Sequence, residues 1–134
     1  MRKLDYKRAT FAAIIVWILG VLAYTTSYFI TFLDNPEKQA NLILVLSLIP
    51  FTLMGARFYY LKGNKVSGLK LGLYMFLITI LLDACFTVPL LIVPFGGSYQ
   101  SFFGDIQFWG IGLEYVLIIT TYWIVITRRE IIYN

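Results

Sequence analysis

Two acidic side chains sit where this sequence is otherwise apolar. Asp83 lies inside Leu81–Pro94 (LLDACFTVPLLIVP), and Glu114 lies inside the apolar run from Ile106 to Thr127. A carboxyl in such a stretch can carry a proton, hold a cation or hydrogen-bond to a neighbouring helix, because little around it competes as water would. Thr79, Asp83 and Thr87 recur at i, i+4 and share one face of a helix. Gly110, Glu114 and Thr121 share a face of the following one. Arg57, within the second apolar run, is either an anchor whose guanidinium reaches the headgroups or a partner for a buried acid.

Other chemistries find no residues to carry them. The chain has no histidine, which removes His-ligated haem, the commonest zinc ligand and a histidine proton relay. Its one cysteine, Cys85, cannot form an internal disulfide or serve a quinone-linked thiol oxidase, which needs paired cysteines. Cys85 is two residues from Asp83 and so points to a different face, against a mixed soft metal site. A site built from the acids alone would be all-oxygen and short of ligands. Gly-rich phosphate loops, H-E-x-x-H and nucleophile–base sets are absent from the sequence. The expectation is no enzyme, no metal and no cofactor.

The elements that must position these groups follow from composition. Of 134 residues, 60% are hydrophobic and 13% charged, against roughly 25% charged in a soluble domain. Four apolar runs fill most of the chain and predict membrane spans at about 10–33, 39–61, 70–93 and 106–127. The remaining segments are too short for a second core, so residues 1–134 form one membrane domain. The net charge of +4 comes from residues at the ends of the runs and is no nucleic-acid footprint.

The first run, uncharged from Ala9 to Leu33, is too long for a signal-peptide core and lacks a small-x-small cleavage site. Its residues Ala13, Trp17, Gly20, Tyr24, Ser27 and Thr31 form the stripe expected to face the bundle. Asn35-Pro36-Glu37 opens the second helix with a cap, a first-position proline and an acid at the positive dipole end. Pro50 predicts a kink there. Lys62–Lys70 is a basic turn, with Gly63-Asn64 as a helix stop and Ser67 as a new cap. Gly68 and Gly72 make a weak G-x-x-x-G signal for close helix contact.

The third span inserts despite its acid. Asp83 costs about 2.5–3.5 kcal/mol near the centre. Against it, fourteen Leu, Ile, Val or Phe residues between Leu71 and Val93 each contribute about −0.3 to −0.6 kcal/mol. In an α-helix Pro89 would leave the Cys85 carbonyl without its donor, and Pro94-Phe95-Gly96-Gly97 ends the span. The link Ser98–Asp105 has no Lys or Arg and, with Phe108 and Trp109, reads as an interfacial aromatic belt.

Nearly all Lys and Arg fall in the N-terminal tail (Arg2, Lys3, Lys7, Arg8), the Lys62–Lys70 turn and the C-terminal tail. The positive-inside rule then places both termini in the cytoplasm. Asp83 is thirteen residues from Lys70, and Glu114 thirteen from Thr127, on helices running in opposite directions. Both acids come out about 20 Å from the basic end, on helices joined by a short link. The two carboxyls are therefore expected to face each other, where they cannot both ionise cheaply. Arg57 lies about 13 Å nearer the basic end, at the limit of direct contact.

The stretches GARFYYLKG (Gly55–Gly63), GLKLG (Gly68–Gly72), LDACFTVP (Leu82–Pro89), PFGGSYQSFF (Pro94–Phe103) and FWGIGLE (Phe108–Glu114) carry a resemblance. Together they resemble a family of small four-span bacterial membrane proteins of unknown function. The resemblance covers most of the chain from the second span onward. It implies the architecture and a bacterial plasma membrane, and no activity. Small multidrug transporters are similar in size and span number, but they keep an essential Glu in the first span, and this first span has no acid.

The sequence thus predicts an all-α, integral membrane four-helix bundle with both termini cytoplasmic. Its expected partners are the lipid bilayer and a second copy or another membrane protein, with no nucleic acid. Two readings of Asp83, Glu114, Thr79, Thr87 and Arg57 stand side by side. In one they are polar packing in a non-enzymatic bundle or partner subunit, and in the other the carriers of a small proton- or cation-coupled transporter.

Overall fold

The computed structural model describes residues 3–30 and 32–133, all helix and connection with no strand among them. Arg2 of the basic tail and Thr31 of the first-span stripe lie outside the described residues. The helices are α1 (Tyr6–Phe29), α2 (Pro36–Tyr60), α3 (Gly68–Leu82), the short α4 (Tyr99–Phe103) and α5 (Ile106–Tyr133). A π-helical segment (Asp83–Ile92) and a 3₁₀ turn (Val93–Phe95) continue α3 without a break. Four stretches are long and apolar enough to cross a membrane: Tyr6–Phe29, Pro36–Tyr60, Gly68–Phe95 and Ile106–Glu130.

Local chemistry sets most of the boundaries. Asn35 accepts from the Lys38 N–H at 3.1 Å, with Pro36 at the first position and Glu37 in the first turn, as its sequence predicts. The helix continues through Pro50. Gly63 stops the chain at φ 81°, a left-handed conformation that suits glycine. Ser67 stands at the N-cap of α3, but its side chain makes no capping bond. The first helix begins earlier than its apolar run, because Asp5 caps it by accepting from the Arg8 N–H at 3.1 Å. Lys7 and Arg8 are therefore helical.

Pro89 acts differently from what an α-helix would require. Its ring would clash with the carbonyl four residues back, and the chain relieves this by widening into i→i+5 bonding across Asp83–Ile92. At the end of that segment the Val93 N–H bonds to the Val88 carbonyl, five back. In this register the carbonyl deprived of a donor is that of Ala84, five residues before the proline, and not that of Cys85. The Tyr99 hydroxyl of α4 donates to the Ala84 carbonyl at 2.9 Å, which closes the gap.

Packing joins two hairpins. α1 lies against α2 and α3, and α5 lies against α3 and α2, so α2 and α3, consecutive in the chain, sit diagonally. Lipid gives helices no hydrophobic reason to associate, and close approach over small residues takes its place. Ala9, Ala12, Ala13 and Ala56 are fully or almost fully covered, as are Val16, Leu71, Met75 and Ile119. A β-carbon on Gly55 would stand 2.5 Å from Val16 Cγ2. One on Gly68 would stand 2.8 Å from the Thr120 Cα, and one on Gly72 3.2 Å from the Val116 Cα. The G-x-x-x-G of the third span is thus the seam between α3 and α5.

Each end of the α1–α2 hairpin is closed by one polar side chain. Arg8 donates from Nε to the Tyr59 carbonyl at 3.1 Å and from Nη2 to the Phe58 carbonyl at 2.5 Å, with its guanidinium 4.3 Å from the Phe58 ring centre. It thereby satisfies last-turn carbonyls of α2. At the opposite end, Gln39 is buried; it accepts from the N–H groups of Phe32 (2.6 Å) and Leu33 (2.9 Å) and donates to the carbonyls of Ser27 (3.0 Å) and Ile30. That satisfies the C-terminus of α1 in the same way.

Candidate functional site

Asp83 occupies the first position of the π segment and is 7% exposed. Its Oδ1 accepts two hydrogen bonds, from Trp17 Nε1 on α1 at 2.9 Å and from Thr87 Oγ1 at 2.7 Å. The Trp17 ring also packs on Phe86, with centroids 5.9 Å apart. The site is therefore a tie between α1 and the C-terminal part of the third span, made by an indole, a carboxyl and a hydroxyl. Each donor suits its place. The indole N–H can only donate, and a buried carboxyl is the acceptor that leaves neither group unsatisfied.

The expected carboxyl pair is not formed. Glu114 is half-buried, and its shielded Oε1 has no hydrogen-bond partner among the described residues. The reason lies in which side of α5 meets α3. That contact is made by Gly112 under the Phe76 ring, Val116 over Gly72 and Thr120 against Gly68. Glu114 is two positions from both Gly112 and Val116, roughly 200° around the helix. The shared face of Gly110, Glu114 and Thr121 exists, but it looks away from α3: Gly110 and Thr121 are exposed, and a β-carbon on Gly110 would meet nothing within 4 Å. Equal depth did not bring the acids together because their azimuths differ.

Of the remaining candidates, Thr87 joins Asp83 and Thr79 does not. Thr79 Oγ1 donates back to the Met75 carbonyl at 3.0 Å, an ordinary use of a helical threonine. Arg57 is exposed and makes no ion pair among the described residues, which fits the anchor and not the buried-acid partner. Cys85 is exposed. No group of three or more Cys, Asp or Glu side chains gathers to hold a metal among the described residues. Two open grooves lie elsewhere, one along Tyr6–Ile14 on α1 and one between α1 and α2 near Leu22, Ser27 and Phe51.

The chain matches no family model, no curated protein and no solved structure. Its site must be judged on geometry alone.

Sequence reasoning passed over three residues that this geometry depends on. Trp17 was part of the bundle-facing stripe, and its indole N–H was the signal: a buried donor in a span needs an acceptor, and Asp83 was available. Tyr99 looked like one more interfacial aromatic. Its bond to Ala84 depends on the π register, which nothing in a one-dimensional pattern announces. Arg8 read as a topology charge, although it also clasps α2.

Proposed function

We propose that the protein is a non-enzymatic multi-pass membrane protein, a helix bundle that works by associating with a second copy or another membrane protein. In this reading Asp83 is a fastener between α1 and the third span. The observation that carries it is the pair of hydrogen bonds on Asp83 Oδ1, from Trp17 at 2.9 Å and Thr87 at 2.7 Å. A carrier carboxyl has to exchange its proton or cation with each side of the membrane in turn. This one is held by two donors of its own chain.

Charge placement supports a cytoplasmic location for both termini. Lys3, Lys7, Arg8, Lys62, Lys65, Lys70, Arg128 and Arg129 lie at one end of the bundle, against Lys38 at the other. The resemblance to small bacterial four-span proteins supports a plasma membrane.

A second reading, a proton- or cation-coupled transporter, draws on Glu114, whose Oε1 lacks a partner. The two readings separate in reconstituted vesicles assayed for proton and monovalent-cation flux, with wild type beside Asp83→Asn and Glu114→Gln. The bundle reading expects no flux above empty vesicles in any of the three. Flux in the wild type that either substitution abolishes would overturn it.

A further inference from the structure

Lys7 and Lys70 are exposed, and neither forms an ion pair among the described residues. Arg8, beside Lys7, is committed to the carbonyls of α2. The acid nearest in the chain, Asp5, is turned to the start of α1, where it accepts from the Arg8 N–H. Lys7 lies where α1 meets α3, at the head of an open groove lined by Tyr6, Lys7, Thr10, Phe11 and Ile14. Tyr74 of α3 stands behind this groove, its ring edge-on to Tyr6 with centroids 5.2 Å apart and its hydroxyl 2.8 Å from Thr10 Oγ1. Lys70 is one turn before Tyr74 on the same face of α3. Helical rise brings it to the level of Tyr6 and Lys7.

We propose that this groove binds an anionic phospholipid, with its phosphate between Lys7 and Lys70 and one acyl chain along Phe11 and Ile14. Charge selects the occupant first. Basic recesses between membrane helices hold anionic headgroups. Lys7 lines the groove with its stem, so its methylenes cover hydrocarbon while the ammonium reaches the headgroup level. The order of polarity selects it next. Charge stands at the first turn of α1, the interfacial rings of Tyr6 and Tyr74 come with it, and Phe11 and Ile14 follow deeper. Thr10 and Tyr74 bond each other, which spends their polarity before the apolar stretch begins. Length agrees as well. Tyr6 to Ile14 rises about 12 Å, against roughly 15 Å for the chains of one leaflet. Free phosphate would meet the charges and leave the apolar length uncovered. The inference is independent of the Asp83 tie and of Glu114.

The test is lipid binding to the full chain in mild detergent, read by native mass spectrometry with phosphatidylglycerol and phosphatidylcholine of identical acyl chains. Wild type should bind phosphatidylglycerol roughly ten- to thirty-fold more tightly. Lys7→Gln and Lys70→Gln, both on exposed side chains, should each weaken phosphatidylglycerol about five-fold, the effect of one basic residue at a membrane surface. Neither should change phosphatidylcholine. Lys62→Gln follows α2, which sits diagonally from α3, and should change either lipid less than about two-fold. Ile14→Trp fills the groove and should weaken both lipids. Inorganic phosphate in excess should displace neither. Equal binding of the two lipids by wild type would overturn the proposal. So would a loss from Lys62→Gln as large as that from Lys7→Gln, which would mean a general attraction to the basic end. Binding indifferent to Ile14→Trp, or phosphatidylglycerol displaced by inorganic phosphate, would overturn it too.

Discussion

The two halves of this bundle are held by different physics. Toward the end that carries the termini, helices meet over alanine and glycine, and Ala9, Ala12, Ala13, Ala56, Leu71, Met75 and Ile119 have no exposed surface. Toward the other end, the third span leaves the α-register. Between Asp83 and Ile92 only Asp83 and Val88 are buried, and cohesion comes from side-chain hydrogen bonds by Trp17, Thr87 and Tyr99. Where backbones approach closely, dispersion over small residues is the main contact, with the Arg8 clasp on α2 beside it. Where Pro89 forces a wider helix and the packing opens, polar groups take over. The lesson is that an intramembrane acid need not mark a path through the protein, since it can replace packing that a proline has made impossible.

The comparison predicts unequal responses to substitution. The largest should be in the close-packed half. Gly68→Leu drives a side chain into the Thr120 backbone and the Trp123 Cβ, 2.8 and 2.6 Å from an added β-carbon. It should cost about 3 kcal/mol or more in reversible unfolding in mild detergent, at the upper end of overpacking effects. A loss under 1 kcal/mol would mean that the seam is not close-packed at all.

An intermediate effect is expected in the hydrogen-bonded half. Tyr99→Phe removes the donor to the Ala84 carbonyl and should cost about 0.5–1.5 kcal/mol. It should also raise amide hydrogen exchange within Asp83–Ile92 while leaving α1 unchanged. Exchange that rises equally in all helices would erase the distinction between the halves.

The smallest effect should come from outside both. Lys65 and Glu130 form an ion pair at 3.2 Å, with their side chains 51% and 49% exposed. Glu130→Gln should change stability by less than about 1 kcal/mol, and less still in high salt.

Much of the architecture was legible in the sequence, for a physical reason. Apolar runs of about 20 residues bounded by Lys, Arg, Pro and Gly can do little but span a bilayer, so the four helices fall near their expected bounds. The Asn35-Pro36-Glu37 start and the Gly63 stop were legible because capping depends on neighbours in the chain. The site was only half legible. Asp83 with Thr87 follows from i, i+4 spacing, and it holds. The pairing of Asp83 with Glu114 used depth alone. Which faces meet is decided by Gly68, Gly72 and Gly112, whose contacts turn Glu114 away from α3. The Ala84 carbonyl could not be found by counting back four residues, because Pro89 changes the count to five.

The central claim is that Asp83 fastens α1 to the third span, and a double-mutant cycle between Trp17→Phe and Asp83→Ala tests it most directly. The account predicts a coupling of about 0.6–2 kcal/mol in reversible unfolding of the reconstituted chain, the strength of an interhelical hydrogen bond in a membrane. Purely additive losses from the two substitutions would contradict it.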